Sequence, residues 1–427
     1  MVRTLGVPHK MLLATKLNTK TLTSNTPMIF NVSVDSGDML SFGGGDPESH
    51  IIVDWDNGIV EELIGSGTAS ITYSGPGTVN IKVLGTANNL IFSCPRFFEI
   101  TSWGVGVDIL GGGLFREIEV SFLVPLTSPP ELTDFSYMFN GAITFNQDIS
   151  SWDMSNATSV RYMFKNCEVY NKSLLGWDTS NVTDFTGMFS GCLLFNQQLN
   201  YLNISSTTSL ERLLYNCRKF NTNLSGWSTG HITNMSYMFY QNSELNQLQA
   251  FDTSSVTNMS YMYGRCSVLH KDLSAYDVSN VTNMYGLFRG VSYPIIPTWS
   301  NPNVTDMSYI FYANRLTSID LTNFGMASVT SMQGMFDSCF YLTTITGIDT
   351  SSLENASFML SSCSAFNQDI SNWDVSNVTN MYSMLQSTDV FNQDISNWDV
   401  SNVTNCGSFN HNGILNPAYF PAFTCNT

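Results

Sequence analysis

The stretch FNQDISNWDVSNVTNM, residues 366–381, recurs almost unchanged as FNQDISNWDVSNVT at residues 391–404. A Met-Phe pair or a near equivalent marks the same point of each copy, and the marks follow one another at an almost constant interval. The marks are Phe139, Phe164, Phe189, Leu214, Phe239, Tyr263, Phe288, Phe311, Phe336, Leu360, Leu385 and Phe409. A period of about 20 to 50 residues is typical of a solenoid, in which each unit buries its apolar face against its neighbours. The pattern therefore predicts a repeat solenoid over most of the chain.

Each repeat is predicted to have two structural halves. Val256, Met259, Met262 and Tyr263 follow helical spacing, which gathers them on one side of a short helix. Residues 370–375 are predicted to be a short strand with a turn, and such strands would stack in parallel from repeat to repeat. The predicted fold is mainly β with short helices, in which parallel strands form one face of the solenoid and short helices form the other.

The chain divides into five predicted segments. Residues 1–26 show no clear periodicity and are predicted to be an N-terminal extension or anchor. Residues 27–94 alternate apolar and polar side chains between turns rich in Gly and Asp, which predicts a small antiparallel β-sandwich. Residues 95–131 are predicted to be an atypical repeat that caps the solenoid. Eleven repeats are predicted for residues 132–404, and residues 405–427 are predicted to close the other end.

The composition argues against two classes of partner. Lys and Arg total 17 whereas Asp and Glu total 34, which gives a net charge of −17. Nucleic acids and anionic membranes both require a basic face, so neither is an expected partner. No apolar run approaches the roughly 18 residues of a membrane-spanning helix. The N-terminus also lacks the apolar segment of about 7 to 15 residues that a secretory signal needs, so export by that route is not expected.

The repeated unit resembles the BspA-type leucine-rich repeat of the Mycoplasma DUF285 variety, which reads much like F-N-Q-D-I-S-x-W-D-V-S-N-V-T-N-M-x-x-M-F-x-x-C. The resemblance covers about residues 95–410 and loosens where Pro294 and Pro297 interrupt the pattern. It implies a surface or adhesion protein of bacteria, protists or viruses that binds and does not catalyse.

A second resemblance covers the predicted sandwich. The stretches VDWDNG at residues 53–58 and YSGPGTV at residues 73–79 resemble the "DWGDG … Y-x-x-PGTYTV" pattern of PKD-like immunoglobulin-type modules. This resemblance implies an immunoglobulin-type β-sandwich ahead of the repeats. Asp54 and Asp56 in the first stretch are candidate Ca²⁺ ligands, and the alternative is that both only hydrogen-bond a turn.

Repeated carboxylate pairs do not indicate an enzyme. Asp369 and Asp374, and likewise Asp394 and Asp399, recur in step with the repeat, whereas an active site should occur once. The sequence contains no Ser-His-Asp order, phosphate loop or nucleotide fingerprint. We therefore predict a protein that is not an enzyme and needs no cofactor.

One column of tyrosines is the candidate interaction face. The residue before the Met-Phe pair is predicted to point away from the apolar side of the repeat. It is a tyrosine in five repeats, as Tyr137, Tyr162, Tyr237, Tyr261 and Tyr309. Exposed tyrosines are good interface groups because they offer large rigid area and a hydroxyl group. The alternative is that these rings only cover neighbouring side chains and stack on one another.

The cysteines are predicted to be mostly structural. Six of them lie three residues after the repeat mark and are expected to form one buried column of free thiols. They are Cys167, Cys192, Cys217, Cys266, Cys339 and Cys363. Cys406 and Cys425 lie near the C-terminus, and whether they form a disulfide stays open at this point.

The leading hypothesis for function is a phage or viral surface component, such as a spike, decoration or fibre-associated subunit. Its N-terminal region would attach it to the particle or form an oligomer, and its solenoid would contact other virion proteins or a protein or glycan of the host surface. The expected location is the virion surface. The alternatives are a bacterial or protist cell-surface adhesin and an intracellular protein scaffold.

Overall fold

The computed structural model describes residues 2–4, 27–44, 49–86, 90–103, 115, 118–129, 131–247, 251–300 and 303–425. The chain divides into two compact units, Met1–Thr207 and Thr208–Thr427. Its described secondary structure is mainly β, with twelve strands and one short 3₁₀-helix, Pro417–Tyr419.

Two β-sheets form the N-terminal part of the first unit. The larger sheet contains, in spatial order, β1 (Val2–Thr4), β5 (Val60–Ile64), β4 (His50–Asp54), β7 (Gly77–Thr86), β2 (Met28–Val34), β9 (Phe98–Ser102) and β10 (Phe122–Leu123). The smaller sheet contains β6 (Gly67–Thr72), β3 (Met39–Gly44) and β8 (Leu90–Ser93). All pairings are antiparallel except that of β9 with β10, which is parallel.

Aromatic side chains join the two sheets. Strand β2 alternates buried and more exposed residues, as expected of a strand with one face toward a core. The Phe30 ring of β2 lies 5.3 Å from Phe42 of β3 and 4.7 Å from Phe92 of β8, measured between ring centroids. All three rings are buried. The alternation in the sequence thus predicted the apolar faces of these strands.

The larger sheet extends past residue 94, where the sandwich was predicted to end. Strand β9 pairs with β2, and β10 then pairs with β9. The Phe122 ring of β10 lies 5.2 Å from Phe145, within the first repeat. Part of the predicted capping segment is therefore the edge of the sheet, and its aromatic side chains continue into the core of the repeats.

Within each of the two units, backbone hydrogen bonds join successive repeats. Every second N–H group from Phe135 to Gly141 donates to a carbonyl group of the following repeat. The N–H groups of Met138 and Asn140, which lie between them, donate to carbonyls three residues back and so close overlapping turns. The acceptors in the following repeat are Ser159, Arg161, Met163 and Lys165. The same arrangement recurs at later repeats of both units.

The predicted short helices are wrong, because these segments are turns and no α-helix occurs among the described residues. Tyr261 and Arg265 have φ of 56° and 60°, and two positions with this separation have positive φ in each repeat. A left-handed residue costs about 1 to 2 kcal/mol within a right-handed helix. The apolar spacing was nevertheless informative, since Val256, Met259 and Met262 are fully buried.

Among the described residues, the parallel strands predicted at the other half of the repeat occur in one pair of repeats only. Residues 370–375 contain turns and no strand. The Asp369 carboxylate accepts a hydrogen bond from the Ser371 N–H at 2.9 Å, and such local bonds compete with a sheet ladder. Repeats are instead joined by single parallel bridges such as Asn355 to Asn380. One pair of strands, β11 (Ser318–Asp320) and β12 (Thr344–Thr346), forms a short parallel sheet.

Columns of equivalent side chains fill the interior of the repeats. Phe288 and Phe311 stack at 6.1 Å with their rings 8° apart, and Phe336 continues the column. The six cysteines of the predicted column are buried and carry reduced thiols, as expected. Five of these thiols donate to a carbonyl of the preceding repeat, as where Cys363 Sγ donates to the Phe336 carbonyl. Burial raises the pKa of the Cys266 thiol to about 12.

A disulfide joins the final described segment to the last repeat. Cys406 and Cys425 are bonded, with their Cα atoms 6.0 Å apart. The Phe409 ring lies 4.9 Å from Phe423 and 6.1 Å from Phe420. These contacts cover the end of the aromatic column.

Candidate interaction site: the tyrosine groove

All five predicted tyrosines are half-buried, and each has positive φ. In the first unit, the rings of Tyr137 and Tyr162 lie 5.4 Å apart. The guanidinium carbon of Arg161 lies 4.9 Å from the Tyr162 ring centroid, and Lys165 Nζ lies 5.1 Å from it. Cations and neighbouring rings therefore cover much of this pair.

In the second unit, four tyrosine rings follow one another along the repeats. Tyr237 and Tyr261 stack at 4.7 Å. Tyr285 lies 5.2 Å from Tyr261 and 5.5 Å from Tyr309. The rings thus stack on one another, as one of the two sequence alternatives proposed, but they also shape a surface that the sequence did not predict.

That surface is a groove of about 540 Å³. We call it the tyrosine groove, and it is lined by Tyr237, Ser260, Tyr261, Thr282, Asn283, Tyr285 and Asp306. Two of the predicted tyrosines, Tyr237 and Tyr261, belong to it. Tyr137 and Tyr162 lie in the other unit, and Tyr309 is not among the lining residues.

A glycine makes room for one wall of the groove. Gly286 occupies the column position of the predicted tyrosines, and its φ is +61°. A Cβ atom placed on Gly286 would lie 2.6 Å from Cε1 of Tyr261. The Tyr261 ring therefore lies over the bare backbone of the next repeat, and Tyr285, one residue earlier, supplies the aromatic side chain of that repeat.

Two polar side chains in the groove are held by their own turns. Asn283 Oδ1 accepts from the Tyr285 N–H at 3.0 Å, and Asp306 Oδ1 accepts from the Ser308 N–H at 2.8 Å. The remaining polar atoms, Asn283 Nδ2 and Asp306 Oδ2, make no hydrogen bond to another described residue. One donor and one acceptor are therefore available to a ligand.

The groove coincides with an irregularity in the repeat. Asn283 and Asp306 occupy the same column, but the interval between them is two positions shorter than the interval from Asn258 to Asn283. A parallel bridge joins Asn258 to Asn283 and another joins Asp306 to Ser331. Among the residues with described coordinates, no bridge joins Asn283 to Asp306. This shortened interval therefore lacks a described bridge, although the Gly286 N–H still donates to the Ser308 carbonyl at 3.0 Å.

Arginines lie beside the tyrosines of the second unit. The guanidinium carbon of Arg212 lies 4.8 Å from the Tyr237 ring centroid, and that of Arg289 lies 4.1 Å from the Tyr312 ring centroid. Burial is the main cause that raises the pKa values of Tyr237 and Tyr285, with the neighbouring Tyr261 as a further cause for both. These two hydroxyls therefore stay protonated at neutral pH and can donate hydrogen bonds.

The two candidate Ca²⁺ ligands are engaged in other contacts. Asp54 Oδ1 accepts from the Asp56 N–H at 3.1 Å, and Asp54 Oδ2 lies 3.6 Å from Lys82 Nζ. Asp56 Oδ2 accepts from the Asn80 N–H at 2.8 Å. Within the described ranges, no group of three or more His, Cys, Asp or Glu side chains is arranged to hold a metal ion.

The repeated aspartates also act as turn acceptors. The hydroxyl and N–H of Ser376 hold the pKa of Asp374 below its ordinary value, and Ser401 does the same for Asp399. These carboxylates therefore stay ionised at neutral pH and stabilise the local turn.

In the part of the chain that the structure covers, no helix is long and apolar enough to cross a membrane.

Comparison with protein families gives a match over the repeats. The family model is described as "Mycoplasma protein of unknown function, DUF285", and it matches residues 128–227, 208–314, 291–343 and 305–414. Comparison with curated proteins and with solved structures gives no match.

Proposed function

Because the chain belongs to the DUF285 family, we propose that it is a non-enzymatic, BspA-like surface-binding protein whose ligand site is the tyrosine groove. The observation that carries this proposal is the cluster of Tyr237, Tyr261 and Tyr285 around a concave surface. Ligand sites are typically concave and combine aromatic walls with a few placed polar groups.

The order of the tyrosine rings favours binding. Stacking and the turn backbone already restrict Tyr237 and Tyr261. A ligand would therefore lose little side-chain entropy on contacting them, whereas ordering a free side chain costs about 0.5 to 1.5 kcal/mol. Rings of this kind are frequent anchors of binding surfaces because they add area and a hydroxyl donor.

The repeat region supplies a rigid support for the groove. Hydrogen bonds from every second N–H group, together with columns of stacked phenylalanine, support a solenoid of the BspA type. In such an architecture, outward side chains vary freely while the backbone and core stay constant. A binding site can then be placed on one repeat without rebuilding the fold.

We propose the virion surface as the place where the protein works. If the N-terminal region attaches the chain to other virion proteins, the chain should co-sediment with intact particles. Fractionation of native source material would test this location, and the expected result is a fixed number of copies of the chain per particle. Recovery with cell envelopes alone would overturn the virion location and leave a cell-surface adhesin.

The binding proposal can be tested with substitutions that the repeats themselves provide. Ser383 and Ser408 occupy the Tyr237 and Tyr261 position in other repeats with φ of 53° and 56°, so the fold accepts serine there. We expect the double variant Tyr237→Ser/Tyr261→Ser to bind the cells and particles of the source material at least about tenfold more weakly, a loss of about 1.4 kcal/mol.

The matched control for this test is Phe358→Ser. Phe358 lies at the same column position in the same unit but is not a lining residue of the groove. Unchanged binding by this control together with loss in the double variant would support the proposal. Equal binding by the wild-type chain and the double variant would overturn it.

A further inference from the structure

The chemistry of the tyrosine groove restricts its ligand. Its lining consists of three aromatic rings and four polar side chains, Ser260, Thr282, Asn283 and Asp306, and includes no Lys or Arg. Its volume of about 540 Å³ falls within the usual range for small-ligand sites, about 300 to 1,000 Å³. We infer that the tyrosine groove binds a neutral oligosaccharide, a conclusion that rests on the proposed binding function.

The aromatic walls suit the weakly polar faces of sugar rings. A pyranose presents C–H groups on its faces and hydroxyl groups around its edge. Tyr237 and Tyr261 stack with their planes 20° apart, and the plane of Tyr285 is inclined by 52° to that of Tyr261. The rings contact one another at 4.7 and 5.2 Å, so a ligand can reach only the parts of them that face the groove. A sugar would pack its C–H groups on those outer parts while its hydroxyl groups reach the polar side chains.

The polar atoms of the groove require a ligand that both donates and accepts. Asn283 Nδ2 is a donor and Asp306 Oδ2 is an acceptor, and neither bonds another described residue. Leaving such groups unpaired beneath a bound ligand would weaken binding. A sugar hydroxyl can satisfy either atom, because each hydroxyl is both donor and acceptor.

The charges of the groove argue against an anionic ligand. Asp306 is the one charged residue of the described lining, and the chain carries a net charge of −17, so an anionic sugar is repelled. Arg212 and Arg289 lie over the rings of Tyr237 and Tyr312, and neither arginine lines the groove. A neutral ligand avoids the repulsion by Asp306, and oligolysine is the probe for a cationic one.

Another tyrosine of the same unit provides an internal comparison. Tyr382 stands at the position equivalent to Tyr285, and its N–H likewise donates to an asparagine, Asn380, at 3.1 Å. There the ladder is intact, because Asn380 and Asn405 are bridged. Several other repeats have serine at this position, as Ser236, Ser260, Ser308 and Ser357. Tyr285→Ser and Tyr382→Ser are therefore matched substitutions that the fold already contains.

The test is binding of the full chain to immobilised oligosaccharides. The panel contains neutral hexose, N-acetylhexosamine and pentose oligomers, with sialylated trisaccharides and oligolysine as charged probes. We expect binding to at least one neutral oligomer and at least tenfold weaker binding of that oligomer by Tyr285→Ser. Asn283→Ser should also weaken binding of that oligomer, because it removes the Asn283 Nδ2 donor. The fold accepts serine in this column, as Ser331 shows. Tyr382→Ser should bind as the wild-type chain does.

Three results would overturn the inference: no neutral oligomer binds, only a charged probe binds, or Tyr285→Ser and Tyr382→Ser bind equally. Failure of the ligand class is separable from failure of the surface-binding function. If binding to source cells depends on Tyr237 and Tyr261, but no neutral oligomer binds the chain or competes with that binding, the ligand class alone is refuted. Oligomer binding that depends on Tyr285, without binding to any source surface, would refute the surface function alone.

Discussion

Two pairs of aromatic residues in the second unit occupy equivalent positions and have different surroundings. Tyr261 and Tyr285 lie 5.2 Å apart in the tyrosine groove, whereas Phe358 and Tyr382 lie 5.3 Å apart in a regular part of the repeats. Both outer tyrosines donate their N–H to an asparagine two residues earlier. The local backbone is therefore the same in both places.

The difference lies in the repeat that follows each pair. After Tyr285, the interval from Asn283 to Asp306 is two positions shorter than the interval from Asn380 to Asn405 that follows Tyr382. The shorter interval is unbridged in the described structure, whereas Asn380 and Asn405 are bridged. A shortened repeat and an acidic side chain thus distinguish the groove from its regular counterpart. In a repeat protein, a local change of spacing can create a site that the consensus lacks.

The largest expected effect tests what the two places share. Phe288→Ala, beneath the groove, should lower the free energy of unfolding by about 3 to 5 kcal/mol, and Leu385→Ala, beneath Tyr382, by about 2 to 5 kcal/mol, because both side chains are buried. Chemical denaturation measures both. Phe288→Leu is the control, since Leu385 fills the same column. A loss below about 1 kcal/mol in either alanine variant would contradict a common core.

A smaller effect should separate the two places. Gly286→Ala should cost about 1 to 2 kcal/mol because φ is +61°, and its new Cβ should displace the Tyr261 ring. The counterpart Ser383→Ala should be nearly neutral, since Ser383 is already a non-glycine residue with φ of 53° and its buried hydroxyl makes no hydrogen bond. Denaturation midpoints measure both, and equal losses would show that the glycine has no special role.

The cations provide a third contrast. Arg289 lies over Tyr312 near the groove, whereas the sequence contains no Lys or Arg after Arg315. Arg289→Gln should lower the free energy of unfolding by about 0.5 to 1 kcal/mol through loss of the cation–π contact. The difference should persist at high salt because the ring contact is local. Full recovery of stability in Arg289→Lys would indicate that charge alone matters, against a stacking role for the planar group.

The smallest expected effect concerns the regular repeats. Hydrogen bonds from Ser376 and Ser401 lower the pKa values of Asp374 and Asp399 in the folded state below the ordinary 3.8. Their stabilisation is therefore complete above pH 3.8 and is lost as the pH falls through the lower folded value. Asp374→Asn/Asp399→Asn keeps the acceptor oxygens but does not titrate. Its melting temperature should fall less than that of the wild-type chain as the pH is lowered through this window, and an identical fall would contradict this role.

The period of the repeat and the buried columns could be predicted from sequence because each depends on residue type at a fixed spacing. The local conformation could not be predicted, because these turns bury every third residue, Val256, Met259 and Met262, and a helix with one apolar side would bury the same residues. The sequence did contain one indication of the turns. Gly187, Gly286 and Gly334 share a single column with tyrosines, and recurrent glycine indicates a position of positive φ.

The groove was half predicted. Tyr237 and Tyr261 were expected to be interaction residues, but Tyr285 was missed because it lies one position before the column. Asn283 and Asp306 were missed because each belongs to the repeat consensus, and only the shortened interval between them is distinctive. The effect of that interval on the ladder depends on how two turns meet in space, which one sequence does not specify.

The most direct test of the account is hydroxyl-radical footprinting of the full chain, free and bound to the surface of its source cells or particles. Mass spectrometry would compare oxidation of Tyr285 with that of Tyr382, which has 38% of its surface exposed. The account predicts that binding protects Tyr285, together with Tyr237 and Tyr261, and leaves oxidation of Tyr382 unchanged. Protection of Tyr382 without protection of Tyr285 would place the binding surface in the regular repeats and contradict the groove.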